Sequence, residues 1–417
     1  MKILAYTTPA RGHLYPLVPI LDELAKRDHR IVVRTLASEV GLMAERGFDA
    51  APIDPAIEAL QHDDYLARTP PAKLKRGMAT FAARSQPEIG DLRSAIDEHA
   101  PDALLIDAMA WGATAEAERC GRPWAHWFPY PLPVSSRDVP PFGPGLKPVR
   151  GLLGRIRDGL LRPVLIGTLE RATLPMLNAT RASVGVPPFQ SADEMFTVAP
   201  LLLYMTAEPF EYPRSDWPAT VRMVGPCCWE PPSGAPSWLA EITKPLVFVT
   251  TSSEFQNDGR LVRTALDALA DEEVQVIATL PSAELTGSIP ANARVERFIP
   301  HGPLLERAAC AITHGGAGAT QKALAAGVPV CVVPFGRDQL EVARRVEVAM
   351  AGTRLPANKL NSERLRQQVK LAMSKRDGAR RVRDGYRATG GPRAAADAFE
   401  TLAAAKAAAP EPSRTGL

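Results

Sequence analysis

The stretch from Cys310 to Gln339 reads CAITHGGAGATQKALAAGVPVCVVPFGRDQ, and its pattern decides the fold. The apolar run from Ala309 to Ile312 suits a buried strand, and a glycine-rich turn follows it. The Ala- and Leu-rich segment 317–326 predicts a helix, and the apolar run 330–333 predicts a second strand. Strand, turn, helix and strand in this order predict a βαβ unit in a parallel sheet.

The glycine turn has the properties of a phosphate site. Gly315, Gly316 and Gly318 let the backbone turn sharply and approach a ligand closely. The following helix begins with free N–H groups and the positive end of its dipole, and His314 can add one more donor. The stretch matches neither the G-x-G-x-x-G dinucleotide motif nor the G-K-[ST] of a P-loop. An ordinary strand-to-helix turn without a ligand therefore stays open at this point.

Asp338 and Gln339 place a carboxylate beside an amide after the second strand. Vicinal hydroxyls need an acceptor and a donor side by side, so the pair suits a polyhydroxylated ligand. With the histidine before the glycines and the G-V-P exit, the stretch resembles the nucleotide-sugar signature of UDP-dependent glycosyltransferases with the GT-B fold, in particular their bacterial natural-product branch. The resemblance implies a diphosphate site at His314, Gly315, Gly316 and Gly318, and a sugar site at Asp338 and Gln339.

Length and composition restrict the number of domains and the classes of partner that the chain can have. With 417 residues, of which 46% are hydrophobic, the chain is long enough for two domains with separate cores. A formal net charge of +3 is near balance, so we expect no nucleic-acid partner. No signal-peptide pattern and no run of about eighteen apolar residues is visible, so we expect a cytoplasmic protein without a transmembrane segment. The five cysteines form no C-x-x-C motif.

The first strand and the helix after it carry a candidate base. Lys2 to Thr7 predicts a strand, and apolar residues recur at helical spacing from about Leu14 to Arg27. Gly12-His13 lies between the two. A histidine at a helix N-terminus is favoured in its neutral form and can accept a proton, but it can also simply cap the turn. From this segment alone both interpretations stay open.

A carboxylate is predicted at the same edge of the sheet. Ala103 to Ile106 predicts a buried strand that ends at Asp107, and ligands collect at the carboxyl ends of strands in doubly wound sheets. An aspartate beside a histidine fixes its tautomer and stabilises the imidazolium. Taken alone, such an aspartate is more often a helix cap or a turn residue. The family resemblance implies that His13 is the general base and that Asp107 orients it.

The segment from Trp124 to Pro148 is rich in aromatic residues and prolines, which predicts a stiff, irregular loop with flat apolar faces. Such a loop suits a small hydrophobic acceptor that is often aromatic. The candidate acceptor-binding residues are Trp127, Phe128, Tyr130 and Phe142. A rigid surface loop that packs on its own core is the alternative.

The second half of the chain carries further candidate donor contacts. Leu246 to Thr250 predicts a strand, after which Ser252 can bond phosphate or cap the following helix. The stretch from Arg297 to His301 resembles the family's uracil site, which implies that Phe298 stacks on the base and that the backbone of Ile299 bonds it. The family usually has tryptophan at the position of Phe298. It also usually has Thr or Ser at the position of Ala319, and often Asn at the position of Val342.

The predicted organisation is α/β, with two Rossmann-like doubly wound domains that face a cleft as in the GT-B fold. We expect an acceptor-binding domain at 1–223, a Pro- and Gly-rich linker at 224–240 and a nucleotide-sugar domain at 241–385. A C-terminal helix at 386–409 is expected to cross back to the first domain, and 410–417 to be disordered. Helices are also predicted at 87–99, 150–161 and 163–184.

The resemblance implies an inverting glycosyltransferase that moves a hexose, with glucose as the first choice, from a UDP-sugar to an acceptor hydroxyl. No D-x-D motif lies near the glycine turn, so we expect neither a metal ion nor another cofactor. A dTDP-sugar donor stays possible, and so does either a monomer or a homodimer. Two other functions stay open, a UDP-sugar 2-epimerase of the same architecture and a catalytically idle nucleotide-sugar-binding partner protein.

Overall fold

A computed structural model describes residues 1–252, 258–281 and 284–407. It contains two parallel sheets, one of seven strands and one of six. The strands of the first sheet are β1 (Lys2–Tyr6), β2 (Arg30–Thr35), β3 (Asp49–Pro52), β4 (Ala103–Asp107), β5 (Trp124–Phe128), β6 (Leu202–Tyr204) and β7 (Val221–Met223). Those of the second are β8 (Leu246–Thr250), β9 (Gln275–Thr279), β10 (Ala293–Glu296), β11 (Ala308–Thr313), β12 (Val330–Val332) and β13 (Gly352–Arg354).

Helices cover both sheets, as the predicted α/β class requires. They are α1 (Arg11–Lys26), α2 (Val40–Ala44), α3 (Pro55–Ala59), α4 (Pro70–His99), α5 (Trp111–Cys120), α6 (Leu152–Ser183) and α7 (Ala192–Thr197), followed by α8 (Arg260–Leu269), α9 (His301–Arg307), α10 (Ala317–Ala325), α11 (Gln339–Val348), α12 (Ser362–Met373), α13 (Arg376–Ala388) and α14 (Gly391–Ala407). No helix in the described part of the chain has the length and apolar character needed to cross a membrane.

Strand order brings the candidate site residues to two sheet edges. The orders are β3-β2-β1-β4-β5-β6-β7 and β10-β9-β8-β11-β12-β13, and every strand pairing in them is parallel. In each sheet the order reverses at one pair, β1 with β4 and β8 with β11. Ligands of doubly wound sheets bind outside the carboxyl ends of the strands at such a point. The confirmed strand β8 and the βαβ unit of β11, α10 and β12 form the second of these edges.

Several predicted elements need correction. The loop prediction for 124–148 is wrong at its start, because 124–128 form the buried strand β5, where aromatic side chains pack well between neighbours. α1 begins at Arg11, three residues earlier than expected, so that His13 lies within its first turn.

Two helices also continue through prolines at which breaks or starts were predicted. α4 runs through Pro87 and α6 through Pro163. Each proline removes only one backbone N–H from its helix, and α4 is also stabilised by tight packing. In α4 this packing includes Gly112 of α5, where any Cβ would overlap the backbone of Ser85.

A buried ion-pair cluster joins a helix beside the second sheet to two segments beside the first sheet. Arg345 on α11 contacts Glu211, which follows β6, through two bonds of 2.9 and 3.0 Å. The same guanidinium donates to Glu341 at 2.9 Å. Glu341 also accepts from the backbone N–H groups of Gly143 and Gly145 at 2.8 and 2.9 Å. One cluster therefore holds α11, the chain after β6 and the loop after β5 together.

The end of the chain returns to the first sheet. α14 packs on α1, and Ala395, Ala396 and Phe399 belong to the core beneath β1. Arg27 at the end of α1 bonds the carboxylates of Asp397 and Glu400, both at 2.7 Å. The domain limits at 223 and 241 stay predictions. The predicted disordered tail at 410–417, together with 408–409, lies outside the described residues.

Replacement of Arg345 by methionine should destabilise the protein strongly. Arg345→Met leaves the buried carboxylate of Glu341 without its cation and leaves Glu211 only the longer contact with Arg214, at 3.6 Å. Breaking a buried pair in this way costs about 3–5 kcal/mol. The free energy of unfolding in urea measures the loss. Arg30→Met, which breaks the exposed pair with Asp49, is the matched control and should change it by about 0–1 kcal/mol. Equal effects of the two substitutions would contradict the assignment.

Candidate active site

His13 and Asp107 form a buried pair at the carboxyl edge of the first sheet. His13 Nδ1 lies 2.8 Å from Asp107 Oδ2. The Asp107 carboxylate is wholly buried and also accepts from the backbone N–H groups of Thr8 at 3.2 Å and Met109 at 2.9 Å. The two backbone contacts fix the carboxylate, which lies close enough to the imidazole to orient it. Nε2 is then the ring nitrogen left for proton exchange with a ligand.

Aromatic side chains surround His13. The Tyr130 ring lies 4.8 Å from the imidazole, centroid to centroid. A Cβ on Gly12 would lie 3.3 Å from the Tyr130 hydroxyl, so a larger residue at Gly12 would crowd this ring. The Trp127 indole donates to the backbone carbonyl of His13 at 3.3 Å. The arrangement holds the first turn of α1 against β5.

The predicted acceptor residues separate into two groups. Tyr130 and Phe142 are half-buried, and the Tyr130 ring contacts His13 directly. Trp127 and Phe128 lie on the strand β5, and their side chains are packed in the cores on the two faces of the sheet. Trp127 was expected to face an acceptor because the segment was predicted to be a loop, and this prediction is wrong at 124–128. Its observed contact is with the backbone of His13.

The glycine turn has the steric features of a close approach. Gly315 has a φ of +94°, and a Cβ there would lie 3.0 Å from side-chain atoms of Val332 and Gln339. A Cβ on Gly316 would overlap His314 Nε2. By contrast, no atom of the described chain lies within 4 Å of the place a Gly318 Cβ would take. The turn is therefore packed beneath His314 and open above Gly318.

Both polarity and charge favour an anion at this turn. α10 begins after Gly316 without a side-chain cap, so its first N–H groups and its positive dipole end face the open side. Burial lowers the pKa of His314 to about 4, so the imidazole is neutral at pH 7. A neutral imidazole still has one N–H group to donate.

Ser252 and Phe298 lie at the same edge of the second sheet. Thr250 pairs with Thr313 in the sheet, which brings the residues after β8 beside those after β11. Ser252 is buried, and its backbone N–H donates to Asp258 at 2.7 Å. The Phe298 ring is 61% exposed, whereas the next residue, Ile299, is buried in the core. A large exposed aromatic ring at a sheet edge is suited to stacking.

Asp338 and Gln339 have different surroundings. Oδ2 of Asp338 is shielded from solvent, with no hydrogen-bond partner among the described residues. Burial raises the pKa of Asp338 to about 6, and the charges of Arg337 and His13 oppose this rise. Gln339 is buried, and its Oε1 accepts from the N–H groups of Phe335 at 2.7 Å and Gly336 at 3.0 Å. The amide oxygen of Gln339 therefore closes the turn before α11, while the Asp338 carboxylate lies close enough to His13 to feel its charge.

The sequence reasoning missed an ion pair across the cleft. Arg337, with a φ of +52°, contacts Asp64 through two bonds of 3.2 and 2.7 Å. Burial raises and Arg337 lowers the pKa of the Asp64 carboxyl, with a net lowering. The two residues are 273 positions apart in the chain, and each has an ordinary polar context. No local pattern could have predicted the pair.

Metal ligands were not expected near the turn. Within residues 1–252, 258–281 and 284–407, no three His, Cys, Asp or Glu side chains are grouped as the ligands of a metal ion would be.

Gly316→Ala should weaken binding of a nucleoside diphosphate, because the added methyl group displaces the His314 ring. We expect a loss of one hydrogen bond, equivalent to about 0.5–1.5 kcal/mol or more, in calorimetric titration with UDP. Gly318→Ala is the matched probe, because its methyl group meets no atom of the free protein. It should keep or raise the melting temperature and weaken binding only if the diphosphate takes this space. Unchanged UDP affinity in both variants would contradict a diphosphate site here.

The buried His314 should make stability depend on pH. Its pKa is about 4 in the folded chain and about 6.5 when unfolded, so the unfolded state binds more protons between these values. This stability is present above pH 6.5 and is lost as the pH falls toward 4, by about 2 kcal/mol from pH 7 to pH 5. The free energy of unfolding should therefore fall less steeply in His314→Gln than in the wild type. Parallel pH profiles would show that His314 is not neutral when buried.

The comparisons with known proteins agree on one family. Residues 263–402 match the family model described as erythromycin biosynthesis protein CIII-like, C-terminal domain. The chain is 32% identical over 422 residues to 4'-demethylrebeccamycin synthase of Lentzea aerocolonigenes, with 96% of this chain and 99% of the relative covered.

Solved structures extend the likeness to the whole fold. The glycotransferase of kitacinnamycin superposes with a TM-score of 0.74 at 23% identity, over 96% of this chain and 98% of the other. The glycosyltransferase VinC in complex with DTDP gives 0.68 at 23% identity, over 97% and 100%. The predicted two-sheet GT-B architecture is confirmed. The chain therefore belongs to the natural-product glycosyltransferases of the GT-B fold, the family of the erythromycin biosynthesis protein CIII-like enzymes, and it is itself a glycosyltransferase.

Proposed function

We propose that the chain transfers a hexose, glucose in the first instance, from a UDP-sugar to a hydroxyl of a small hydrophobic natural-product acceptor. Transfer occurs with inversion and without a metal ion. The observation that carries the proposal is the pair of His13 and Asp107, 2.8 Å apart, in a cleft whose other wall holds the glycine turn and Asp338. We assign acceptor binding to residues 1–223 and donor binding to 241–385.

The donor lies along the carboxyl edge of the second sheet. Its diphosphate sits over the open side of Gly318 and accepts from the first N–H groups of α10 and from His314. The exposed ring of Phe298 stacks on the base. Asp338 accepts from a sugar hydroxyl, which gives its buried Oδ2 a partner. We also assign Gln339, which shapes the turn that carries Asp338, to the sugar site.

The reaction is a single displacement. His13 Nε2 removes the proton of the acceptor hydroxyl, and Asp107 stabilises the imidazolium that forms. The acceptor oxygen forms a bond to the anomeric carbon from the side opposite the diphosphate. The bond between that carbon and the phosphate oxygen breaks, and its electron pair leaves with UDP. The positive end of α10 stabilises the developing charge, which is the role a metal ion would otherwise have.

The acceptor lies against His13 and the half-buried aromatic rings of Tyr130 and Phe142. A flat apolar acceptor stacks on such rings and excludes water from the base.

A donor with a thymine base is the second candidate, because VinC, a protein of the same fold, has been solved with DTDP. The epimerase and the idle binding protein lose their support, since the relatives of this chain are glycosyltransferases. Product formation from UDP-glucose and from dTDP-glucose, followed by mass spectrometry, distinguishes the two donors. The proton–proton coupling at the anomeric carbon of the product then reports inversion or retention.

His13→Ala should cut turnover by about 10²–10⁴-fold while UDP affinity stays unchanged, because general-base catalysis contributes that much. The loss should be smaller with a phenolic acceptor at high pH, where the acceptor is already partly ionised. Asp107→Asn should reduce turnover less, since the base remains but its protonated form loses a counter-charge.

His29→Ala serves as the control, because His29 pairs with Glu400 beneath α14 and faces no cleft residue named above. Near-normal turnover of His13→Ala on an aliphatic alcohol at neutral pH would place the base elsewhere.

A further inference from the structure

The first half of α6 carries an exposed apolar stripe. Leu152, Leu153 and Leu160 are 72%, 79% and 72% exposed, and Ile156 and Val164 are exposed as well. At 100° per residue these five side chains fall within an arc of roughly 120° on one side of the helix. The opposite side, with Gly154 and Asp158, is buried against the protein. The helix therefore packs by its small and polar face and exposes its aliphatic one.

This is the reverse of the usual arrangement of a surface helix. Amphipathic helices bury their apolar face in the core and keep their polar face in water. Single exposed leucines are ordinary, but a contiguous row of large aliphatic side chains marks an interaction surface. The stripe contains five strongly exposed large apolar side chains, and they follow one another along successive turns of the same helix.

Basic residues border the stripe. Lys147, Arg150, Arg155, Arg157 and Arg162 lie within sixteen consecutive residues, where Asp158 is the only acidic residue. Asp158 pairs with Arg157 at 2.7 Å, and the nearby Asp138 feels the charge of Arg155. Five positive charges against these two negative ones leave the border positive. By helical position, Arg155 lies on one side of the stripe and Arg157 on the other.

We propose that this half of α6 is a docking surface for an anionic membrane. The stripe inserts into the boundary between headgroups and acyl chains, and the arginines contact the lipid phosphates. An interfacial helix has this composition, with aliphatic residues on one face and Lys or Arg beside them. Basic residues close to the membrane surface are attracted to acidic lipids and strengthen the binding. The proposal is independent of the glycosyl transfer described above.

A second copy of the chain is a poorer occupant. A twofold contact through the stripe would place the same arginines of both copies opposite each other, and like charges at close range repel. A protein partner is also less suited, because its binding energy concentrates at aromatic anchors in pockets. The stripe is a protruding row of aliphatic side chains without an aromatic residue.

The test is co-sedimentation of the full chain with vesicles. One set contains phosphatidylcholine alone, and the other contains equal parts of phosphatidylcholine and phosphatidylglycerol. Wild type should bind the anionic vesicles and be released by salt, since screening weakens the attraction. In the triple variant Leu152→Gln, Leu153→Gln, Leu160→Gln, the affinity for anionic vesicles should fall by roughly tenfold or more, because the apolar area that inserts is removed. The double variant Arg150→Glu, Arg155→Glu should also bind anionic vesicles less tightly than the wild type, because it loses the attraction to acidic lipids.

Ile289→Gln with Leu371→Gln is the control, because both are exposed aliphatic side chains, at 49% and 48%, in the second half of the chain. It should bind as the wild type does. Because the substituted side chains are exposed, circular dichroism should show an unchanged fold in every variant. Three outcomes overturn the proposal: no binding of the wild type to anionic vesicles, equal binding of the triple variant, or a wild-type dimer in sedimentation that only the stripe variant makes monomeric. None of these readouts depends on the donor, the acceptor or turnover.

Discussion

The guanidinium of Arg345 is the contact on which the arrangement of the cleft depends. It is buried between Glu211 and Glu341, and Glu341 in turn holds the loop after β5 by two backbone N–H groups. A buried charge of this kind tolerates only one geometry, since any displacement leaves an ion without its counter-ion in a medium of low dielectric constant. The cluster therefore opposes displacement of α11 from the loop after β5 and from the chain after β6.

Each of the two sheets has a helix N-terminus at its carboxyl edge. α1 carries His13 in its first turn, and α10 presents free N–H groups beside His314. The proposed general base and the proposed anion site therefore lie on different sheets. Asp338 lies close enough to His13 for the charge of His13 to lower the pKa of the Asp338 carboxyl, although burial raises that pKa more. The division explains why neither sheet alone would form the site.

Local patterns predicted what depends on local physics. The strand from Leu246 to Thr250, the glycine turn and the position of Asp107 follow from apolar runs and turn residues, and the structure has each of them. The sequence could not predict β5, because prolines after Phe128 made the whole segment resemble a loop. It also missed the short edge strands β3, β7 and β13, whose polar or brief runs give weak signals. The pairing of Asp64 with Arg337 depends on tertiary structure alone.

The path of the chain after α13 has a mechanical consequence. Gly390 and Gly391, both with positive φ, turn the chain, and α14 then crosses to α1, where Arg27 clasps Asp397 and Glu400. The two halves are thus joined by two covalent spans, the segment before β8 and the turn before α14. A rotation of one half against the other about these spans must separate Asp64 from Arg337 or disturb the buried cluster of Arg345, so these two side-chain contacts limit such a movement.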